Sequence, residues 1–224
     1  DLMRKEEADG VRAVMFTPHF YYERMGLDSF AQNRKAAYSI AVKACQREGI
    51  RVAAKCGAEV HFTPALPFLD LSKLCFAGTH YILVELPTNV HPAGIEETLY
   101  SIMQRGYTPI LAHVERFPYV TENPALLYNW VSMGCLAQVN ANAFLRGGET
   151  AKAVHRYVRW NLIHLMASDA HSMKRRPPNL KEGHAALPTD LSEYFMRNGE
   201  AVFFDREPSL PEPVEPKKLF GLWK

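Results

Sequence analysis

Five times along the chain an amphipathic helical stretch meets a single residue suited to left-handed backbone, and a short apolar run follows at once. The stops are Gly10, Gly49, Gly106, Gly134 and Asn161. Gly, or Asn in its place, carries a chain out of a helix at the least steric cost. The runs that follow cover residues 11–16, 51–58, 108–112, 135–139 and 162–167, and Tyr81-Ile82-Leu83-Val84 makes a sixth. Helical patterns over residues 29–48, 93–105, 124–133 and 149–160 each follow one run and precede the next. Such alternation requires parallel strands joined by helical crossovers. The runs are apolar without clear alternation, as expected of strands covered on both faces. The fold class is α/β, and a barrel and a doubly wound sheet both fit the alternation.

Nothing divides the series, so residues 1–205 are read as one domain. At 224 residues and 47% hydrophobic content the chain can bury one large core. Residues 206–224 differ: Pro208, Pro211, Pro213 and Pro216 space out an extended, solvated tail that ends in the more apolar Leu219-Phe220-Gly221-Leu222-Trp223, read as a packed end. Lys and Arg total 26 against 24 Asp and Glu, a formal charge of +2 that gives no field to attract nucleic acid. No apolar run reaches the ~20 residues of a membrane span, and the mixed-charge amino end is not a signal peptide. A soluble, cytoplasmic protein is expected. Cys45, Cys56, Cys75 and Cys135 have neither zinc nor redox spacing and read as reduced core thiols. Cys45 to Arg51 matches the C-x5-R string of cysteine-dependent phosphatases. That chemistry needs the thiolate in a loop that opens a helix, whereas Cys45 sits near a helix end and Arg51 starts a strand.

The chemistry gathers at the carboxyl ends of the strands. In order these read Thr17-Pro18-His19, Gly57-Ala58-Glu59, Val84-Glu85, Ala112-His113-Val114-Glu115-Arg116, Asn140 and Ser168-Asp169-Ala170-His171. In parallel α/β folds these ends share one side of the sheet, where binding and catalytic groups collect. His19, Glu59, Glu85, His113, Asp169 and His171 therefore converge, a donor set suited to Mn, Fe or Zn rather than to a closed thiolate site. His61, His80, His91, His155, His164 and His184 read as structural. Arg116 and the Arg175-Arg176-Pro177-Pro178 stretch leave the same loops, and a guanidinium beside a metal cluster suits bidentate capture of phosphate.

These segments resemble the PHP (polymerase and histidinol phosphatase) superfamily, and most closely the metal-dependent tyrosine-protein phosphatases of bacterial capsule and exopolysaccharide operons. The matches run in family order, from Asp9-Gly10-Val11-Arg12 through the strand ends above to Arg175-Arg176-Pro177-Pro178, with Arg197-Asn198-Gly199-Glu200 resembling the family's ending. The resemblance implies a distorted seven-stranded (β/α) barrel with up to three divalent ions, manganese in this branch, with iron or zinc as alternatives. By that analogy Glu59 bridges two ions and Glu85 and His113 complete the second. Asp169 serves the first ion, and His19 with His171 the third. Arg116 and Arg176 match the phosphate-handling arginines. The implied reaction is direct in-line displacement at phosphorus with no phosphoenzyme. The implied partner is a phosphotyrosine protein, the tail of a bacterial tyrosine autokinase, and self-association is a family expectation. Family members open on a strand with a D-x-H-x-H motif, followed by a further metal-binding acid, and neither occurs among these residues. The expectation is therefore a PHP-type barrel lacking its first strand in this chain. A small-molecule phosphoesterase of the histidinol-phosphate type and an inactive scaffold are the competing readings.

Overall fold

In the computed structural model the described residues are 1–219, 222 and 223. All five stops adopt the left-handed backbone their residue types favour, with φ of 86° at Gly10, 69° at Gly49, 81° at Gly106, 114° at Gly134 and 57° at Asn161. Each ends a helix whose exit leads to a strand: α1 (Leu2–Ala8) to β1 (Ala13–Phe16), α2 (Leu27–Arg47) to β3 (Ala53–Cys56), α3 (Ile95–Gln104) to β6 (Thr108–Leu111), α5 (Ala125–Ser132) to β7 (Leu136–Asn140), and α7 (Glu149–Arg159) to β8 (Leu165–Ala167).

Two of the expected strands are split. Run 11–16 holds β1, and after a break the strand resumes beyond it as β2 (His19–Phe20); run 51–58 holds β3 and resumes as β4 (Glu59–His61). Phe16 pairs Cys56 in one parallel ladder and His19 pairs Glu59 in the next. Between them Pro18 has no N–H to donate, so the ladder is carried across by Gly57 N–H to the Phe16 carbonyl (2.8 Å) and Glu59 N–H to the Pro18 carbonyl (3.1 Å). Gly57 lies so close to Phe76 that an added Cβ would stand 2.4 Å from its ring. Counted through these breaks there are six parallel strands, as expected, and the sheet order β2-β4-β5-β6-β7-β8, with β5 at Tyr81–Glu85, follows the chain without reversal. A doubly wound sheet reverses at a switch point, so the order is that of a barrel wall.

The sheet is strongly curled. Six strands laid flat would span about 24 Å, yet the rings of His19, on the first strand, and His171, just after the last, lie 5.9 Å apart. Side chains alternate across the curl. Ile82, Val84, Leu111, Ala137 and Val139 face outward into the larger core, which the helices cover. Tyr81, Leu83, Ile110, Ala112, Leu136 and Leu165 face inward with Phe76 and Val202. The same inward columns become polar toward the carboxyl ends: Leu83 is followed by Glu85 and Leu136 by Gln138 and Asn140.

The sequence reading did not mark the short helices α4 (Pro118–Glu122), α6 (Asn142–Leu145) and α8 (Leu180–Ala185), nor α9 (Thr189–Phe203). Asn198, buried on α9, donates to the His164 carbonyl at 3.0 Å and ties that helix to β8. The proline-spaced tail is extended but anchored: Val214 N–H donates to the Trp160 carbonyl (2.8 Å), Asn161 Nδ2 to the Glu212 carbonyl (2.8 Å), and Trp223 Nε1 to the Glu122 carbonyl (3.0 Å). Residues 218–219 and 222–223 pair antiparallel as β9 and β10; Phe220 and Gly221 of the expected packed end lie outside the described residues.

Candidate metal centre

Three elements bring the centre together. On β4 Glu59 and His61 share the inward face by the two-residue period, and Glu85 ends the inward column of β5. His113 follows β6 with φ of 35°, a strained conformation for a non-glycine residue that turns its side chain back over the strand ends. Its backbone N–H is held by Gln138 Oε1 at 3.1 Å.

The imidazole of His113 is buried, and its Nε2 lies 2.8 Å from Glu59 Oε1 and 3.4 Å from Glu85 Oε1. The other carboxylate oxygens face His19, whose Nδ1 is 3.9 Å from Glu59 Oε2 and 3.7 Å from Glu85 Oε2. Ligand atoms of His19, Glu59 and Glu85 all fall within 4.8 Å of one another. Each oxygen of Glu59 thus addresses a different imidazole, the disposition a bridging carboxylate needs. Burial opposes a charge on His113, but hydrogen bonds to Glu59 and Glu85 outweigh it and raise its pKa to about 9. Burial likewise resists ionisation of Glu85, and His113, His19 and His61 overcome it to hold that carboxyl below its ordinary range. The carboxylates of buried Glu59 and half-buried Glu85 thus favour a cation between them. A divalent ion held there would take the place of the proton. The nitrogen and oxygen donors fit manganese, iron or zinc.

Asp169 lies to one side, also at positive φ (49°). Its Oδ2 receives Arg116 Nη2 (2.5 Å), Arg176 Nη1 (2.9 Å) and Asn140 Nδ2 (3.1 Å). His171 Nδ1 sits 2.9 Å from the Asp169 carbonyl oxygen, and the ring faces His19. A short bridge between Ser172 and Arg176 folds this loop back on itself. The eight candidate residues therefore occupy one mouth, in two adjoining groups: His19, Glu59, Glu85 and His113 around one point, and Arg116, Asp169, His171 and Arg176 beside it.

One histidine read as structural belongs with the first group. His61 Nδ1 is 3.5 Å from Glu85 Oε2, and the His61 ring packs 5.0 Å from Tyr21. Its place two residues after Glu59 on the same strand face was the available signal. Asn140 and Gln138, bonded to each other at 2.9 Å, position Asp169 and His113 and share the inward face of β7. The rejected C-x5-R string stays outside: Cys45 lines a small apolar cavity of about 150 Å³ with Phe16, Tyr38 and Val42, on the helix-covered side of the β1–β3 pair.

A parallel, curled α/β sheet with imidazoles, carboxylates and guanidinium groups at its strand ends defines the class of PHP-type metal-dependent hydrolases. The family described as "Capsular polysaccharide synthesis, CpsB/CapC" matches residues 1–203, and the chain belongs to that family. It is 33% identical to the tyrosine-protein phosphatase YwqE of Bacillus subtilis, over 100% of this chain and 91% of the relative. To the putative tyrosine-protein phosphatase CapC of Staphylococcus aureus it is 27% identical, over 99% and 91%. To CpsB of Streptococcus pneumoniae it is 25% identical, over 91% and 86%. A solved structure from a study of YwqE and CpsB, described as metal-dependent tyrosine phosphatases, superposes with a TM-score of 0.84 at 28% identity, covering 97% of this chain and 90% of the other.

Proposed function

We propose that this chain is a metal-dependent protein-tyrosine phosphatase, manganese its ion, acting in the cytoplasm on the phosphotyrosine tail of a bacterial tyrosine autokinase that governs capsule or exopolysaccharide synthesis. The observation that carries the reading is the carboxylate of Glu59 set between His113 and His19, with two arginines converging on the adjacent carboxylate of Asp169. Among the described residues no helix is long and apolar enough to cross a membrane.

His19, Glu59, Glu85 and His113 would hold the ion, with Asp169 and His171 on its flank. An ion held there would supply Lewis acidity, lowering the pKa of water bound to it and polarising a phosphoryl oxygen. The protein supplies the rest. Arg116 and Arg176, already aimed at one anionic oxygen, exchange it for phosphate oxygens and stabilise the charge that grows on them. Gln138 fixes the His113 backbone and Asn140 the Asp169 carboxylate, so neither group has to reorganise during the reaction. Burial pushes the Cys75 and Cys135 thiols up to about 12, the opposite of an activated nucleophile, and Cys45 lines the cavity on the helix-covered side, away from this mouth.

The test is phosphate release from a phosphotyrosyl peptide by the full-length protein with Mn²⁺, run beside histidinol phosphate. Release from the peptide is expected to dominate. His113→Ala should remove it, and Arg176→Ala should lower kcat by roughly 10²-fold. Absence of release, or release indifferent to His113→Ala, would sink the reading, and preference for histidinol phosphate would move it to the small-molecule phosphoesterases.

A further inference from the structure

The loops around the mouth carry an uneven charge. Arg24 follows β2, Arg146 follows α6 at the end of β7, and Lys174 and Arg175 follow β8; all four are exposed. Among the described residues none of the four side chains makes an ion pair; Arg4 with Glu48, Lys73 with Asp28 and Arg206 with Glu200 are among the surface cations that do. Glu23, beside Arg24, and Glu149, three residues after Arg146 and paired with Lys152 (2.7 Å), are exposed acids close to these cations in the chain, while Glu115 is turned inward to the Asn140 N–H (3.2 Å). The curl brings the starts of two of these loops together: the His19 and His171 rings, from which the turns bearing Arg24 and bearing Lys174 and Arg175 leave, lie 5.9 Å apart. Both turns are ordered, the first by Arg24 N–H to the Tyr21 carbonyl (3.0 Å) and by the Arg24 guanidinium 4.5 Å over the Tyr21 ring, the second by Arg175 N–H to Ser172 Oγ (3.1 Å). Between the cations stand exposed apolar side chains, Tyr22 at 43%, Met25 at 40% and Met173 at 43%.

We propose that this rim is a docking surface for acidic residues flanking the phosphotyrosine of a peptide substrate. The proposal rests on the phosphatase reading for the chemistry and on the rim alone for the docking. Charge complementarity selects the occupant. Preformed cations without acidic partners attract an acidic segment and repel a basic one, and the interspersed apolar side chains offer contact to a polypeptide. The overall charge of +2 hides this, because the excess is local. Rim charges act on encounter more than on the chemical step, so the effect belongs in kcat/KM and weakens with salt.

The experiment uses the full-length, Mn²⁺-loaded protein and three peptides of equal length, each with one phosphotyrosine, flanked by Glu, by Ser or by Lys. Binding of the unphosphorylated Glu-flanked peptide is followed by fluorescence anisotropy alongside. The Glu-flanked substrate is expected to exceed the Lys-flanked one by at least about tenfold in kcat/KM at low salt. The preference should collapse at high salt and in the variant Arg24→Gln, Arg146→Gln, Lys174→Gln, which should still turn over p-nitrophenyl phosphate normally. Equal kcat/KM for the three peptides, or a preference that survives the variant, overturns the proposal. If no peptide is hydrolysed but the acidic one binds and the variant releases it, the phosphatase reading fails and the docking surface stands. Absence of both hydrolysis and binding removes both.

Discussion

His164 shows how burial decides what a histidine is for. It precedes β8, its Nδ1 accepts the Ala137 N–H at 3.0 Å, and its own N–H donates to the Ala137 carbonyl at 2.9 Å. Burial lowers its pKa from 6.5 to about 4. A base whose folded pKa is depressed is held neutral. Its contribution is complete above pH 6.5, declines as pH falls toward about 4, and amounts to about 3 kcal/mol between those limits. Urea unfolding from about pH 7 down to about pH 4 should show this loss, and His164→Asn, which keeps an acceptor without a titrating group, should flatten that part of the profile. Equal pH slopes in the two proteins would refute the assignment. The structural role of His164 was legible from its place inside an apolar run. The partner of His61, Glu85, was not legible beside it, because Glu85 lies on a neighbouring strand and register is a property of pairing that one strand does not reveal.

At the scale of elements, the left-handed stops and the strands after them were readable because each depends on a local backbone requirement. The breaks in the first two strands were not. They fall where Pro18, with no N–H to donate, runs beside the Gly57-Ala58 segment, and only pairing brings these segments together. Helix α9 also escaped notice: its exit uses Asp205, at φ of 57°, where Gly or Asn is the usual sign. Asp205 is held there by the His80 N–H at 2.9 Å and its Nδ1 at 2.7 Å. Gly57 is the most sensitive joint. An alanine Cβ would meet the Phe76 ring at 2.4 Å and its Cα at 3.2 Å, so ring and backbone would both have to yield. Gly57→Ala should cost about 1–3 kcal/mol in urea melts, as overpacked cores do. Because Glu59 lies two residues further on, the variant should also bind Mn²⁺ more weakly in calorimetric titrations. Unaltered stability together with unaltered metal affinity would show that the joint has slack.

On the scale of the whole molecule, a curled wall of strands holds carboxylates and imidazoles at its mouth, and their mutual arrangement depends on the curl. The number of strands and the imidazoles and carboxylates at their ends were legible from the chain, but the approach of the first and last strands was not, since curvature sums small twists over every pairing. The structure places His19 on β2, Glu59 on β4, Glu85 on β5 and His113 after β6, so an ion held by them would clasp the wall across the strands β2 to β6. Folding and metal binding should therefore be linked. A ligand that binds only the folded state stabilises it by RT ln(1 + [L]/Kd), about 2.7 kcal/mol at a hundredfold excess over Kd. For a domain of roughly 200 residues that raises Tm by about 5–11 °C. Scanning calorimetry of the full-length protein should show a saturable rise with Mn²⁺, reversed by a chelator. The rise should shrink strongly in Glu59→Gln, which removes the carboxylate shared by His113 and His19, and stay intact in the rim variant carrying three glutamines. A rise of the same size in Glu59→Gln would place the ion elsewhere, and no rise in the unaltered protein would separate the clasp from the fold.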